Sequence, residues 1–298
     1  MIENLKKIKK VFDSGGNIIE YLKNINTNQG IDDMVLISYD FQAGSYIKKA
    51  EKNSEYEGKR TDIYAEIFNN LGDFDSIMEV GVGEGTTFSN IVPKLNNRNV
   101  ASFGFDISYS RIQYGQKHLK GKKMDSSLLF TGNFFNCPIQ NDSVDIVYSI
   151  HSLEPNGGKE KEILTELYRI TRKYLVLIEP IYELSSEQSK VHMDKHGYVK
   201  NIYKIALELG YKVTDYRILF EDNLQSDNNT GVVIIEKNSK ILSKRENISP
   251  LGCPVTKLPL SLHKEHYYCK DSLLLYPVIN KIPCLLPENA IVATHFLD

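Results

Sequence analysis

The sequence predicts an α/β fold: a seven-stranded, mostly parallel sheet with helices on both faces, preceded by a helical region and followed by a small α+β segment. Three observations predict it. From about residue 75, short β-branched runs alternate with helix-length segments, which is the pattern of β-α-β units. The glycine-rich turn in SIMEVGVGEGTTF stands between the first such run and the first such segment. A hydrophobic content of 41% over 298 residues suffices to bury one large core with a small second unit beside it.

Residues 1–72 read as helical, with Ile18, Ile19 and Leu22 at helical spacing and a second amphipathic pattern in Ile63, Ile67 and Leu71. Between these patterns lies SYDFQAGSYIKKAE, rich in aromatic residues. Strands are expected over 76–80, 101–106, 128–131, 144–149 and 174–179, and helices over about 86–96, 109–119 and 158–172. Two further strands, 211–220 and 231–236, flank Asn- and Asp-rich turn chemistry and are close enough to pair antiparallel at one edge. The polar stretch 237–247 precedes a compact segment with several prolines, which places a boundary near residue 245. The expected parts are therefore a helical region and lid over 1–72, a core over 73–240 and a small domain over 246–298.

Charge and composition narrow the possible functions. A formal net charge of −2 lacks the basic footprint of a dedicated nucleic-acid binder. The early lysines are not followed by an apolar stretch that would make a signal peptide or membrane span, so a cytoplasmic location is expected. Cys137, Cys253, Cys269 and Cys284 are too few and too widely spaced for a disulfide framework, and reduced thiols are expected.

Gly81, Gly83 and Gly85 follow an apolar strand and precede a helix. At such a turn glycine permits positive φ and lets a ligand approach the backbone without a Cβ clash. Asp106 ends the next strand, where a carboxylate accepts hydrogen bonds from both hydroxyls of a ribose. The ligand expected is therefore a nucleoside. A dinucleotide fingerprint needs its third glycine where this chain has Thr86, which disfavours nicotinamide and flavin cofactors.

The run E-V-G-V-G-E-G resembles motif I of the class I S-adenosylmethionine-dependent methyltransferases, a family with a Rossmann-like core, and the resemblance extends over about residues 39–237. It implies that Glu79 contacts the methionine end of S-adenosyl-L-methionine, that Gly81, Gly83 and Gly85 cradle the cofactor, and that Asp106, with Ile107 beside it, holds the ribose. GNFFNCPIQNDSVDIVYS resembles the family's segment joining the third and fourth strands. Asn133 stands where an Asp usually binds the adenine amino group, and Phe134 is expected against the adenine face. YDFQAGSYI resembles the lid helix of small-molecule methyltransferases, with Tyr46 as lid residue; Arg60 is the candidate to pair with the cofactor's carboxylate, the alternative being a surface position without function.

Methyl transfer requires positioning of an acceptor and, where necessary, removal of a proton. The fourth strand runs into SIHSLEPNGG, which places His151 just past its end, where it fits a general base or acceptor-binding residue and equally a packing or hydrogen-bonding one, with Glu154 to orient it or to bind a polar acceptor. Glu179, at the end of the fifth strand, reaches toward the same crevice. His192 and His196 share one helix face, where solvation explains them better than metal binding.

Residues 251–291 resemble the small zinc-ribbon-like proteins that activate methyltransferases acting on the translation machinery. The shared features are a Cys-Pro start, a single later Cys, and Tyr-Pro, Ile-Pro and Leu-Leu-Pro-Glu near the end. Thr256 replaces the second Cys of the expected Cys-x-x-Cys, leaving Cys253 and Cys269 at matching positions. His263 and His266 fit a solvent-exposed hairpin, and Cys284 a packed small hydrophobe. No metal is expected, and the segment reads as a docking or stabilising module in cis. The expected function is methyl transfer to an O or N atom of a small-molecule acceptor. The alternatives are an RNA or protein acceptor of the translation machinery, or a protein that binds S-adenosylmethionine without turnover.

Overall fold

The computed structural model describes residues 5–16, 18, 21–22, 31–220, 229–237 and 249–298. Ile19, the turn expected between 220 and 231, and the boundary expected near 245 lie outside the described residues, apart from positions 229 and 230 of that turn. The central sheet contains β1 (Ser76–Val80), β2 (Ala101–Asp106), β3 (Leu128–Thr131), β4 (Val144–Ile150), β5 (Thr171–Pro180), β6 (Lys212–Phe220) and β7 (Thr230–Glu236), in the order β3-β2-β1-β4-β5-β7-β6. The first five strands pair in parallel, and β7 runs antiparallel to both β5 and β6. The order reverses between β1 and β4, so the strand ends there open a crevice.

Strands covered on both faces read as continuous apolar runs, and β4 is buried along its whole length. The pleat sends alternate side chains to opposite cores. Met78, Val80, Val147 and Leu175 join the helix Glu160–Ile170 through Ile163 and Leu167. Ile77, Ile146, Tyr148 and Val176 join the helix Ser54–Asn69 through Tyr64 and Phe68. That second helix departs from expectation in part. Its buried face runs through Thr61, Tyr64, Ala65, Ile67 and Phe68, with Leu71 packed against the same core, and of the expected stripe Ile63 alone is turned outward, 38% exposed. The aromatic rings decide the orientation, because they bury more area, and Phe68 packs 4.7 Å from the Tyr148 ring.

The helix expected over 86–96 is reduced to Phe88–Ile91 and a 3-10 turn, Val92–Lys94. Pro93 accounts for this, since it has no N–H to continue the helical ladder. The helix Glu160–Ile170 passes directly into β5, so that strand begins three residues before the expected 174. Arg172 anchors its start by pairing with the fully buried carboxylate of Asp145.

Residues 249–298 form a four-stranded antiparallel sheet in the order β13-β10-β9-β8, made of β8 (Ser261–His263), β9 (His266–Cys269), β10 (Leu274–Tyr276) and β13 (Ile291–Val292), with a hairpin of β11 (Val278–Ile279) and β12 (Ile282–Pro283). The helical part expected here is limited, among the described residues, to a 3-10 turn at Pro287–Asn289. This module sits on the β3 edge of the central sheet. Thr131 bridges Cys284 in parallel, Leu285 N donates to Thr131 Oγ1 at 3.0 Å, and Gly252 N donates to Pro138 O at 2.9 Å. Leu251, Cys253, Leu260, Cys269, Tyr276 and Leu285 continue the apolar core that contains Phe130 and Ile139. Glu166 Oε1 ties the two parts together by accepting from Lys257 Nζ at 2.7 Å, from Arg169 Nη2 at 2.9 Å and from Cys137 N at 2.9 Å. No described helix is long and apolar enough to cross a membrane.

Candidate functional site

The turn after β1 is built around the end of β2. Gly81 N and Val82 N both donate to Phe105 O at 2.9 Å, and Gly81 and Gly83 adopt φ of 73° and 55°. A Cβ on Gly81 would stand 2.4 Å from Ser152 Cβ, so only glycine lets the loop lie beside the residues that follow β4. Gly83 N donates to Asp106 Oδ2 at 2.9 Å and Ser108 N donates to Oδ1 at 2.9 Å. Each carboxylate oxygen thereby accepts one backbone bond and retains a second lone pair. Glu79 is buried at the end of β1, where its two oxygens accept from Thr87 Oγ1 at 2.8 Å and from Tyr148 OH at 2.9 Å. Burial pushes its carboxyl up to about 8.

The preceding helices, α2 (Ile31–Phe41) and α3 (Ser45–Lys52) in a chain whose first helix α1 is Leu5–Asp13, roof this loop through two carboxylates. Gly44 precedes α3 and has no side chain to cap it. Glu84, from the glycine loop, serves instead: Oε1 accepts from Gly44 N at 2.9 Å and Tyr46 N at 3.3 Å, and Oε2 from Ile47 N at 2.8 Å. In the opposite direction Asp40 of α2 accepts from Ser110 N at 3.1 Å and from the hydroxyls of Ser108 and Ser110, at the start of the helix Tyr109–Gly121. Arg111 of that helix lies over the rings of Tyr46 and Tyr39, at 4.4 and 5.1 Å, with Nη1 4.0 Å from Asp106 Oδ2. Glu84, Asp40 and Arg111 were not among the residues expected from the sequence. The one available signal was the missing cap residue before α3.

His151 follows β4 with φ 49°, a strained conformation for a non-glycine residue. Its Nδ1 lies 2.6 Å from Glu154 Oε1, while Nε2 faces Arg60 Nη2 at 3.1 Å and Thr230 Oγ1 at 2.8 Å. Arg60 can only donate. The proton of a neutral imidazole therefore sits on Nδ1, directed at Glu154, and the lone pair sits on Nε2. The Arg60 guanidinium is surrounded by Tyr56, Tyr64 and Phe220, with centroids 5.3 to 5.9 Å away, and its buried Nε has no partner among the described residues. Glu179 Oε1 accepts from Ser152 N at 3.2 Å and from Leu153 N at 3.3 Å. Burial, reinforced by the charge of Glu154, raises the Glu179 carboxyl to about 7. The rings of His192 and His196 lie with centroids 4.4 Å apart and planes tilted by 42°, and neither residue lines the cavity at this group.

A cavity of about 270 Å³ opens at the strand ends, lined by Tyr46, Arg60, Glu79, Gly81, Gly83, Asp106, Ile107, Asn133, Phe134 and His151. Three of the residues that the sequence placed at this crevice do not line it. Gly85 closes the turn through its N–H to Val82 O and packs toward Leu119, and Glu154 and Glu179 act on the lining from behind. Asn133 departs in detail from its expected role, because Oδ1 already accepts from Phe135 N at 3.0 Å and Asn136 N at 2.8 Å. Only its amide NH₂ remains to be offered.

These features define a nucleoside-binding α/β site, and the comparisons narrow the class. Residues 77–174 match a family model described as a methyltransferase domain. No curated protein matches the chain. Among solved structures, one from a complex between the Haloferax volcanii Trm112 methyltransferase activator and a methyltransferase is similar over 63% of this chain and 92% of that chain, with 16% identity and a TM-score of 0.50. A SAM dependent methyltransferase from Aquifex aeolicus is similar over 64% and 97%, with 14% identity and a TM-score of 0.46. Geranyl diphosphate C-methyltransferase from Streptomyces coelicolor A3(2) is similar over 59% and 80%, with 11% identity and a TM-score of 0.48. Residues 77–174 carry a methyltransferase domain, and the cofactor expected from the sequence is S-adenosylmethionine. The residues of the site fit that cofactor: Asp106 keeps one lone pair per oxygen for two hydroxyls, and the glycine backbone leaves room that a Cβ would fill.

Proposed function

We propose that the chain transfers a methyl group from S-adenosylmethionine to an oxygen or nitrogen atom of a small-molecule acceptor. In this reading residues 1–72 are a helical region with the lid, 73–240 the catalytic core and 246–298 a docking or stabilising module in cis. The observation that supports it most directly is the roof pinned over the cavity by Glu84 and Asp40, which leaves a partly covered space of about 270 Å³ with His151 in its wall.

When bound, S-adenosylmethionine supplies an electrophilic methyl group on a sulfonium. Asp106 accepts from the two ribose hydroxyls, with Ile107 beside it. Asn133 offers its amide to the adenine edge, and Phe134 covers the face. Glu79 receives the methionine end, and Arg60 pairs with the carboxylate. Tyr46 and the lid exclude water from the reacting atoms. His151 takes the acceptor's proton on Nε2, and the resulting imidazolium is held by Glu154 at Nδ1. Since Arg60 Nη2 and Thr230 Oγ1 both face the Nε2 lone pair in this structure, both must give way before His151 can act.

The deciding experiment is incubation with methyl-labelled cofactor and fractionated cell extract. Label in the low-mass fraction is expected, and its identity gives the acceptor. A macromolecular acceptor is the second reading, favoured by the module on the β3 edge and its resemblance to activators. It predicts label in RNA or protein and salt-dependent RNA binding. Cofactor binding without transfer to any fraction would sink both in favour of a non-catalytic binder.

A further inference from the structure

Residues 253–257 and 269–273 fold as two matching turns. In the first, Lys257 N donates to Cys253 O at 2.7 Å, and Lys257 is left-handed at φ 64°. In the second, Leu273 N donates to Cys269 O at 2.9 Å, and Leu273 is left-handed at φ 57°. Each turn begins with a cysteine, carries a hydroxyl three positions later in Thr256 or Ser272, and closes on a residue with positive φ that is not glycine. The turns face each other. Cys253 Sγ lies 3.8 Å from Ser272 Oγ, and Thr256 Oγ1 lies 3.9 Å from Cys269 Sγ, so each sulfur meets the hydroxyl of the opposite turn. Cys253 Sγ also lies 3.3 Å from Tyr276 OH, and both cysteines are fully buried.

Two Cys-x-x-X turns set face to face, with the first and fourth side chain of each meeting those of the other in crossed pairs, have the arrangement of the two ligand loops of a tetrahedral zinc site. The donor chemistry here does not suit zinc. A structural site uses four thiolates or imidazoles, whereas a serine or threonine hydroxyl keeps its proton at neutral pH and is a weak ligand. His263 does not complete the set, because its Nε2 lies 2.8 Å from Ser261 Oγ, and His266 Nδ1 accepts from Val278 N at 3.3 Å. We infer that these turns are a metal-free counterpart of a four-cysteine zinc centre, in which two crossed thiol–hydroxyl contacts join the turns in place of the ion. The backbone frame retains the geometry to take zinc once both hydroxyls become thiols.

The test uses the full chain, produced with added zinc, as wild type and as Thr256→Cys/Ser272→Cys. Elemental analysis is expected to find no stoichiometric zinc in wild type and one zinc per chain in the double variant. Replacement by cobalt(II) is expected to give thiolate-to-cobalt absorption in the double variant only. A strong chelator is expected to lower the melting temperature of the double variant by several degrees and to leave wild type unmoved. Stoichiometric zinc in wild type overturns the inference. So does a double variant that binds neither metal or fails to fold with zinc present, since the turns then do not converge as a ligand frame. A Cys253–Cys269 disulfide found by mass spectrometry in freshly purified wild type would overturn it as well.

Discussion

Glu84→Ala removes the carboxylate on which the roof of the site is hung. That group is 1% exposed and accepts three backbone N–H groups at the start of α3, a helix with no cap of its own. A hydrogen bond to a charged group contributes about 1.5–3 kcal/mol net, and loss of an ordinary N-cap costs about 1 kcal/mol. The three bonds converge on one side chain and are not additive, and water replaces part of what is lost once the helix opens. A cost of about 3 kcal/mol for the closed roof is therefore expected, a shift of about 150-fold toward open forms. If the cofactor binds beneath a closed roof, affinity for S-adenosylhomocysteine falls by up to that factor. Hydrogen exchange at the amides of Gly44, Tyr46 and Ile47, paired with calorimetric titration of S-adenosylhomocysteine, reads both effects. Glu84→Gln keeps one acceptor oxygen and is expected to lie between the two. Wild-type exchange at these amides in Glu84→Ala would refute the reasoning, as would fast exchange with unchanged affinity, which would uncouple the roof from the cofactor site.

Three further outcomes are expected. Asp106→Ala removes the ribose acceptors and orphans the N–H groups of Gly83 and Ser108, so calorimetry is expected to show strongly weakened cofactor binding; unchanged affinity would take Asp106 out of the site. His151→Ala is expected to slow single-turnover methyl transfer by about two orders of magnitude or more with cofactor affinity nearly intact, whereas parallel losses of affinity and melting temperature would mark a packing role. Burial raises Glu79 from the usual carboxylate range to about 8, so its stabilising contribution is complete below about pH 4.5 and is lost as pH rises through 8. Glu79→Gln is expected to flatten the fall in stability between pH 5 and 8, by at most about 1.4 kcal/mol per pH unit, and melting curves with identical pH slopes in both proteins would contradict this.

The strands were legible because both faces of the sheet are covered, which leaves apolar runs such as Leu175–Ile178 of β5 and Val232–Ile235 of β7. The glycine turn and Asp106 were legible because their geometry is local to one β-α-β unit. The residues that escaped make contacts set by tertiary folding. Glu84 reaches α3 across 37 to 40 positions, Asp40 reaches Ser110 across 70, and Cys253 meets Ser272 across 19. The face of the helix Ser54–Asn69 was legible only in part for a related reason. Ile67 and Leu71 do pack on the sheet, but Tyr64 and Phe68 fill most of its surface and leave Ile63 outside.

The β3 edge has a consequence for how this protein depends on its surroundings. An uncovered edge strand is a template for any chain with unpaired backbone groups. Here the covering segment is covalently attached, so its docking is a unimolecular event whose equilibrium does not change with dilution. A separate subunit would cover the edge only when its abundance exceeded its dissociation constant and no competing enzyme had sequestered it. This chain carries its own cover at a fixed ratio of one to one, and a free protein seeking the same edge would have to displace it first.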